Sequence, residues 1–273
     1  MVDYKLGVGT FILRERAQRE LFVIFDQLHE IGYDGLELLG LFGRTPADIR
    51  KKLDSLPMTA IGDHVSVFDF ESNADMVIGS HREIGCKYLT LSCPSDLANG
   101  SENEIESLIR RVGHAARLCR NAGITPLYHN HGFDMMGERP FTARVMDACA
   151  DDGLCLEPDV GWMTFAGCDP VDYLERYRDR CPVIHLKDIY ADDVTKIGPA
   201  SSLTGIEGDP QNAGFAFRPT GYGIVNFPRI IRYAIACNPD WLMVDHDLAY
   251  ARDSIADLKL SHDYVRALMA LCL

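Results

Sequence analysis

The sequence predicts an α/β protein, a single (β/α)8 TIM barrel over residues 1–273, and three observations predict it. Short apolar runs alternate with longer amphipathic stretches from end to end, the pattern of parallel strands joined by helical crossovers. Eight such pairs fit into 273 residues, which is the usual size of a closed eight-stranded barrel. No linker or composition shift divides the chain. An open doubly wound sheet would need a glycine-rich turn running into a helix after the first strand. Gly7-Val8-Gly9-Thr10-Phe11 lacks both the third glycine and the helix start.

The expected strands are residues 5–9, 35–39, 58–65, 88–92, 125–130, 154–159, 183–187 and 241–245. Helical periodicity falls between them, at 16–31, 46–55, 71–84, 101–122, 142–150, 170–180, 227–237 and 254–271. Taken in order, the helix after the first strand is stopped by Gly32 and the one after the third by Gly85, glycine being suited to the left-handed turn that ends a helix. The fourth strand leads to a helix that opens on Ser101, with Glu104 three residues on as a capping box, and closes at Gly123. The fifth, sixth and eighth strands are followed by helical patterns in the same manner. The seventh is followed instead by residues 189–223, rich in Gly, Pro, Ser, Thr and Asp and nearly aperiodic. A loop this long in a compact domain is usually functional, and on the C-terminal face of a barrel it reads as a substrate lid.

Hydrophobic residues make up 47% of the chain and charged residues 25%, which excludes wholesale disorder. Lys and Arg number 27 against 40 Asp and Glu, and this net charge of -13 opposes a nucleic-acid partner, whose phosphates need clustered cations. The nine cysteines are odd in number, scattered, and never spaced C-x-x-C, so neither a disulfide framework nor a structural zinc site is expected. Cys119, Cys149 and Cys237 fall within helical or strand patterns, where a thiol behaves as a small buried hydrophobe. Met1-Val2-Asp3-Tyr4-Lys5 has no signal-peptide core, and no apolar run reaches membrane-spanning length. A cytoplasmic enzyme without a membrane partner is the expectation.

Barrel active sites form where the strands end. Here the second strand holds Glu37, the third reaches His64, and the fifth reaches His129-Asn130-His131. The sixth ends at Asp159, the seventh at His185-Leu186-Lys187-Asp188, and the eighth at Asp245-His246-Asp247. Side chains alternate along a strand, so His129, Asp159, His185 and Asp245 can form one inward set. His131, Lys187 and Asp247 then lie one layer nearer the mouth. Two imidazoles and two carboxylates on neighbouring strands suit a divalent ion such as Mn, Mg, Co or Zn, with positions left for substrate oxygens.

Tyr128-His129-Asn130-His131, Asp159-Val160-Gly161-Trp162, Gly167-x-Asp169-Pro170, Val183-Ile184-His185-Leu186-Lys187-Asp188, Gly221-x-Gly223 and Val244-Asp245-x-Asp247 occur in that order. Together with Gly32-Tyr33-Asp34-Gly35-Leu36-Glu37, they make nearly the whole chain resemble the sugar phosphate isomerase/epimerase family of the xylose isomerase-like barrel superfamily. The resemblance implies a metal held by an acid on the fifth strand, an Asp on the sixth, a His on the seventh and a Glu on the eighth. Asp159 and His185 match, whereas His129 replaces the first acid and Asp245 shortens the last. Those two acids serve as proton-transfer bases in ketose epimerases, and Trp162 stands where they carry a substrate-binding His. The chain is closer to an H-N-H branch whose members resemble inosose dehydratases and keto-sugar epimerases.

The resulting expectation is a metal-dependent isomerase or epimerase of a sugar or keto-sugar, working through an enediolate. Glu37, His131, Lys187 and Asp245 are the expected catalytic residues, and His64, Trp162, Asp188 and Asp247 the expected substrate contacts. If the substrate carries a phosphate, Arg14 or Arg16 in the loop after the first strand could hold it, though no phosphate loop is visible. The nearest rival is a dehydratase or lyase that shares the enediolate and expels a hydroxyl. A non-catalytic carbohydrate-binding barrel is a second rival. The apurinic endonucleases of the superfamily need more His and Glu ligands and a basic surface, which the charge opposes. Family barrels often form dimers or tetramers, so a homo-oligomer is allowed, though no exposed apolar stripe marks its interface.

Overall fold

The computed structural model describes residues 4–94, 100–192 and 215–272. Eight parallel strands form the barrel in the order β6-β5-β4-β3-β2-β1-β10-β7. They are β1 (Lys5–Gly9), β2 (Gly35–Leu38), β3 (Thr59–Ser66), β4 (Tyr88–Ser92), β5 (Thr125–His129), β6 (Cys155–Glu157), β7 (Val183–His185) and β10 (Trp241–Val244). The two ends of that order meet through a parallel bridge between Asp159 and His185, where the His185 amide donates to the Pro158 carbonyl at 2.9 Å. The barrel expected from the alternation is therefore the one observed.

The helices are α1 (Arg14–Ile31), α2 (Pro46–Asp54), α3 (Val67–Ile84), α4 (Glu102–Asn121), α5 (Phe141–Ala148), α6 (Val160–Phe165), α7 (Pro170–Arg176), α8 (Phe227–Ala236) and α9 (Ser254–Cys272). The Ser101–Glu104 capping box is present at the start of α4. Gly32 and Gly85 take left-handed conformations, with φ of 110° and 90°, at the ends of α1 and α3. The short α6 was not expected. It exists because Asp159 caps it, accepting from the Trp162 amide at 2.8 Å.

Residues 189–223 are not aperiodic throughout. Asp188–Ala191 (β8) and Phe215–Arg218 (β9) pair antiparallel outside the barrel, with Asp188 opposite Arg218 and Ala191 opposite Phe215. The pairing follows from apolar residues at Ile189, Ala191, Phe215 and Phe217, all buried. Phe215 and Phe217 pack against Trp162, with ring centroids 6.3 and 5.6 Å away. The remainder of the expected lid, 193–214, lies outside the described residues.

Two-residue steps along the strands divide the barrel interior into layers. Ile61, Tyr88, Leu127, Val183, Trp241 and Met243 fill the end where the strands begin. Glycines make the space: a Cβ at Gly35 would lie 2.8 Å from Trp241 Cη2, and one at Gly7 would lie 2.5 Å from Ile61 Cδ1. The layers above are ionisable. All nine cysteines are free thiols, and no helix among the described residues is long and apolar enough to cross a membrane.

Candidate metal centre and cavity

Three side chains of the upper layer stand two residues after an apolar one. Leu127 precedes His129, Val183 precedes His185, and Met243 precedes Asp245, so the alternation that points one inward points the other inward too. Asn130 points elsewhere and holds the neighbouring strand. Its side-chain oxygen accepts from the Asp159 amide at 2.9 Å and its side-chain amide donates to the Asp159 carbonyl at 3.3 Å. Gly9 leaves room for Asp245, whose Oδ1 would be 2.8 Å from a Cβ there.

The structure brings His129, Asp159, His185 and Asp245 together, with one donor atom from each within 4.8 Å of the others. It also assembles a second group that shares both imidazoles: His64, His129, Glu157 and His185. Glu157 was not anticipated. It lies in register with His129, is fully buried, and follows the two-residue step that gives Asp159. Glu157 stands inside the apolar run, before Pro158 and two residues short of the strand end, so the pattern of polar strand ends shows only Asp159.

Glu157 Oε2 lies 3.5 Å from His129 Nδ1 and 3.2 Å from His64 Nε2, while its Oε1 lies 3.4 Å from His185 Nε2. Glu37 Oε2 approaches His64 Nε2 at 2.9 Å and His185 Nε2 at 3.2 Å. On the other side, His185 Nδ1 hydrogen-bonds to Asp245 Oδ2 at 3.2 Å, and His129 Nε2 lies 3.8 Å from Asp159 Oδ2. The fully buried Lys187 ammonium touches three carboxylates, at 2.6 Å from Asp247, 2.7 Å from Asp245 and 3.3 Å from Asp159.

Burial and charge compete here. Burial opposes a charged Lys187, but Asp159, Asp245 and Asp247 outweigh it and hold the ammonium well above its usual range. Burial likewise opposes a charged His64, yet Glu37 and Glu157 raise it to about 10. His185 is also raised, its burial overcome by Glu157 and Asp245. His129 goes the other way: burial, with His185 and His131 nearby, keeps it neutral well below the normal imidazole range. Asp159 is pushed up to about 6 by burial, against the pull of Lys187. Despite burial, Asp245 stays well below its usual range because Lys187 and His185 face it.

The fit to a cation can be tested on atoms that lack partners. Buried His129 Nδ1, His185 Nε2, both Glu157 oxygens and Asp159 Oδ2 have no hydrogen bond. Leaving such atoms unmatched is costly, and a divalent ion would satisfy them; the residues present therefore fit one.

A cavity of about 450 Å³ opens onto this layer, lined among others by Glu37, His64, His129, His131, Lys187, Asp245 and Asp247. His131 stacks on Phe133, its ring plane 5° away. Trp162 and Asp188, expected to contact substrate, do not line it. Trp162 packs on the β8–β9 aromatics and carries Lys187 Nζ 5.4 Å from its ring. The Asp188 carboxylate instead accepts from the amides of Ile189, Gly221, Gly223 and Val225 at 2.8–3.2 Å. Neither arginine expected to hold phosphate is free. Arg14 donates to the carbonyls of Phe11 and Asp247, and Arg16 bonds to Glu20 and Gln27.

The family model described as xylose isomerase-like TIM barrel matches residues 76–264, more than half of the chain. An inosose dehydratase of Geobacillus kaustophilus (strain HTA426) is 26% identical over 191 residues, covering 62% of this chain and 62% of that one. The chain thus matches about three fifths of the length of that relative. Among solved structures, a sugar phosphate isomerase/epimerase from Parabacteroides distasonis ATCC 8503 superposes with a TM-score of 0.75 at 17% identity, over 98% of this chain and 95% of the other. The IOLI protein with a bound zinc atom superposes with a TM-score of 0.76 at 11% identity, over 98% and 99%. These likenesses show the fold; the family match shows that the chain belongs to the xylose isomerase-like TIM barrel family.

Proposed function

We propose that this protein is a divalent-metal-dependent enzyme that removes the proton alpha to the carbonyl of a keto-sugar or keto-cyclitol. The observation that carries the reading is the pair of buried histidines, His129 and His185, each facing carboxylates through both ring nitrogens, with His129 lining the cavity. An ion held there, by these histidines with Asp159 and Asp245 or with Glu157 and His64, would acidify the alpha proton of a chelated carbonyl. The zinc in IOLI supports an ion of that class.

The chain's own groups account for the remaining chemistry. Lys187, kept charged by its three carboxylates, sits at the cavity wall as a fixed cation for the developing enediolate. Glu37 on β2 and His131 after β5 reach the cavity from strands three apart around the barrel. Their reach into the cavity supports them as the groups that take and return the proton. Asp247, bound to Lys187, keeps that ammonium in place. Nine free thiols support a reducing, cytoplasmic setting.

Return of the proton to the opposite face or the adjacent carbon gives an epimerase or isomerase. Departure of a beta hydroxyl gives a dehydratase, and two observations favour that ending. The Geobacillus relative is an inosose dehydratase, and Asp245, at the position of one epimerase base, is bound by both Lys187 and His185. The test is NMR in D2O with metal-loaded protein and a panel of ketoses, inososes and 3-keto-glycosides. Deuterium incorporation without loss of water supports isomerisation, whereas an unsaturated or diketone product supports dehydration. Either signal should vanish on treatment with a chelator and return with metal; no alpha-proton exchange on any member of the panel would defeat the reading.

A further inference from the structure

The end of the barrel remote from the cavity carries a pair of thiols. We infer that Cys181 and Cys237 form a dithiol site that an anionic low-molecular-weight disulfide, such as oxidised glutathione, converts to a disulfide bond. The inference is independent of the metal-dependent reading above.

Backbone geometry brings the two cysteines together. Cys181 stands two residues before β7, and Cys237 directly follows α8. The chain just beyond each is joined, the Pro182 carbonyl accepting from the Asp240 and Trp241 amides at 2.8 and 3.1 Å. Both thiols hang on the end of α7. Cys181 Sγ donates to the Tyr177 carbonyl at 3.2 Å, and Cys237 Sγ to the Leu174 carbonyl at 3.4 Å. Carbonyls three residues apart on a helix lie on one face, roughly 5 Å from each other. The two thiols are close enough to hydrogen-bond to one another, and such proximity is the first requirement for a bridge.

Their surroundings give them different roles. Cys181 is buried, and its bond to Cys237 together with that burial holds its thiol well above the usual range. Cys237 is half-buried. Donation from Cys181 lowers it below the usual thiol range against its partial burial, with the Arg178 guanidinium assisting. A thiolate is the species that attacks a disulfide, and reactive thiols are partly exposed and electropositively placed. Cys237 is therefore the attacking thiol and Cys181 the resolving one.

The charge of the reagent follows from the surface beside Cys237. Arg229, Arg232, Tyr233 and Ala236 recur at helical steps along one face of α8, and with Arg178 they line a groove of about 470 Å³. Arg229 is committed to Asp169, at 2.8 and 2.7 Å. Arg178 and Arg232 are exposed and have no carboxylate partner among the described residues. On a chain of net charge -13, a groove of this kind gathers anions that the rest of the surface repels.

The chemistry is a two-step exchange. The Cys237 thiolate attacks one sulfur of the reagent, forming a mixed disulfide and releasing one glutathione thiolate. Cys181 then gives up its proton and attacks Cys237 Sγ, forming the Cys181–Cys237 bond and releasing the second thiolate. The protein loses two electrons and the reagent gains both, while the two thiol protons end on the two molecules of glutathione.

The test treats the protein with oxidised glutathione, or with hydroxyethyl disulfide as an uncharged reagent, and maps tryptic peptides by mass spectrometry. The first bond should join the Cys181 and Cys237 peptides, and Cys181→Ser should accumulate a glutathione adduct on Cys237. Arg178→Ala combined with Arg232→Ala should slow the reaction with oxidised glutathione about tenfold and leave the uncharged reagent at its parental rate. A first bond involving Cys155, which also lies near Cys181, or nine thiols that all stay free, overturns the inference. Equal slowing with both reagents overturns its anionic part. Should Cys181→Ser not fold, parent protein quenched early with acid answers the same question: an adduct on Cys237 before the bond is expected, and one on Cys181 overturns the assignment.

Discussion

The two ends of the barrel interior are built from the same strands by the same two-residue step, yet they obey different rules. At the strand starts, Leu127, Val183, Trp241 and Met243 interlock as an apolar plug. One step on, the strands carry His129, His185 and Asp245, with Glu157 and Asp159 from β6, and the layer holds buried charges and unmatched polar atoms. Each side chain of the plug contributes roughly 1.5–3 kcal/mol on burial and asks only for shape. The upper layer lowers stability wherever its charges are not fully paired. Substitutions below should therefore change only how much protein is folded, whereas substitutions above should change what the folded protein does and, where they strand a buried charge, its stability as well.

The largest departure is expected from Lys187→Met. It leaves Asp159, Asp245 and Asp247 facing one another without their shared cation, and breaking a buried ionic group of this kind costs about 3–5 kcal/mol. Denaturant titration should show that loss and the alpha-proton exchange assay should show almost no activity; a fully stable variant would mean that the upper layer is not held by ion pairing. Trp241→Ala should cost a similar or slightly smaller amount, about 3–5 kcal/mol from the cavity it opens. Its divalent-ion affinity should remain that of the parent. A collapse of ion binding in this variant would show that the two ends are not independent.

Acidity separates the ends further. His64 is raised from 6.5 to about 10 by Glu37 and Glu157, which outweigh its burial. A group whose pKa is higher in the folded state stabilises the fold below its unfolded pKa and loses that contribution as pH rises through the folded one. Chelator-treated protein should accordingly lose stability between pH 6.5 and about 10. His64→Gln should flatten that slope, while a plug variant such as Leu127→Ala should lower the whole curve without changing its shape. The smallest effect belongs to neither end. Ser101→Ala removes the cap of α4 and should shift the thermal midpoint by an amount equivalent to about 0.5–2 kcal/mol, with ion binding unaltered.

The contrast also explains what was legible in the sequence. Periodicity exposes whichever residues repeat at intervals of two, so the barrel order and the convergence of His129, Asp159, His185 and Asp245 could be read directly. Glu157 obeys the same rule but sits before a proline inside a strand-like run, and only its neighbours in space show what it faces. The β8–β9 pairing was hidden because its strands are four residues long and far apart in sequence. Asp188 misled for a related reason: a carboxylate near a strand end looks like a ligand until the backbone amides that converge on it are known.

That convergence has a consequence beyond the site. By gathering the amides of Ile189, Gly221, Gly223 and Val225, Asp188 ties together the two points where the chain leaves the barrel after β7 and returns to it. Closing a longer loop between fixed ends adds only about 0.6 kcal/mol per doubling of its length. With both ends fixed at one carboxylate, a change in chain length between them costs little, and evolution can lengthen or shorten the excursion while the barrel strands stay in place.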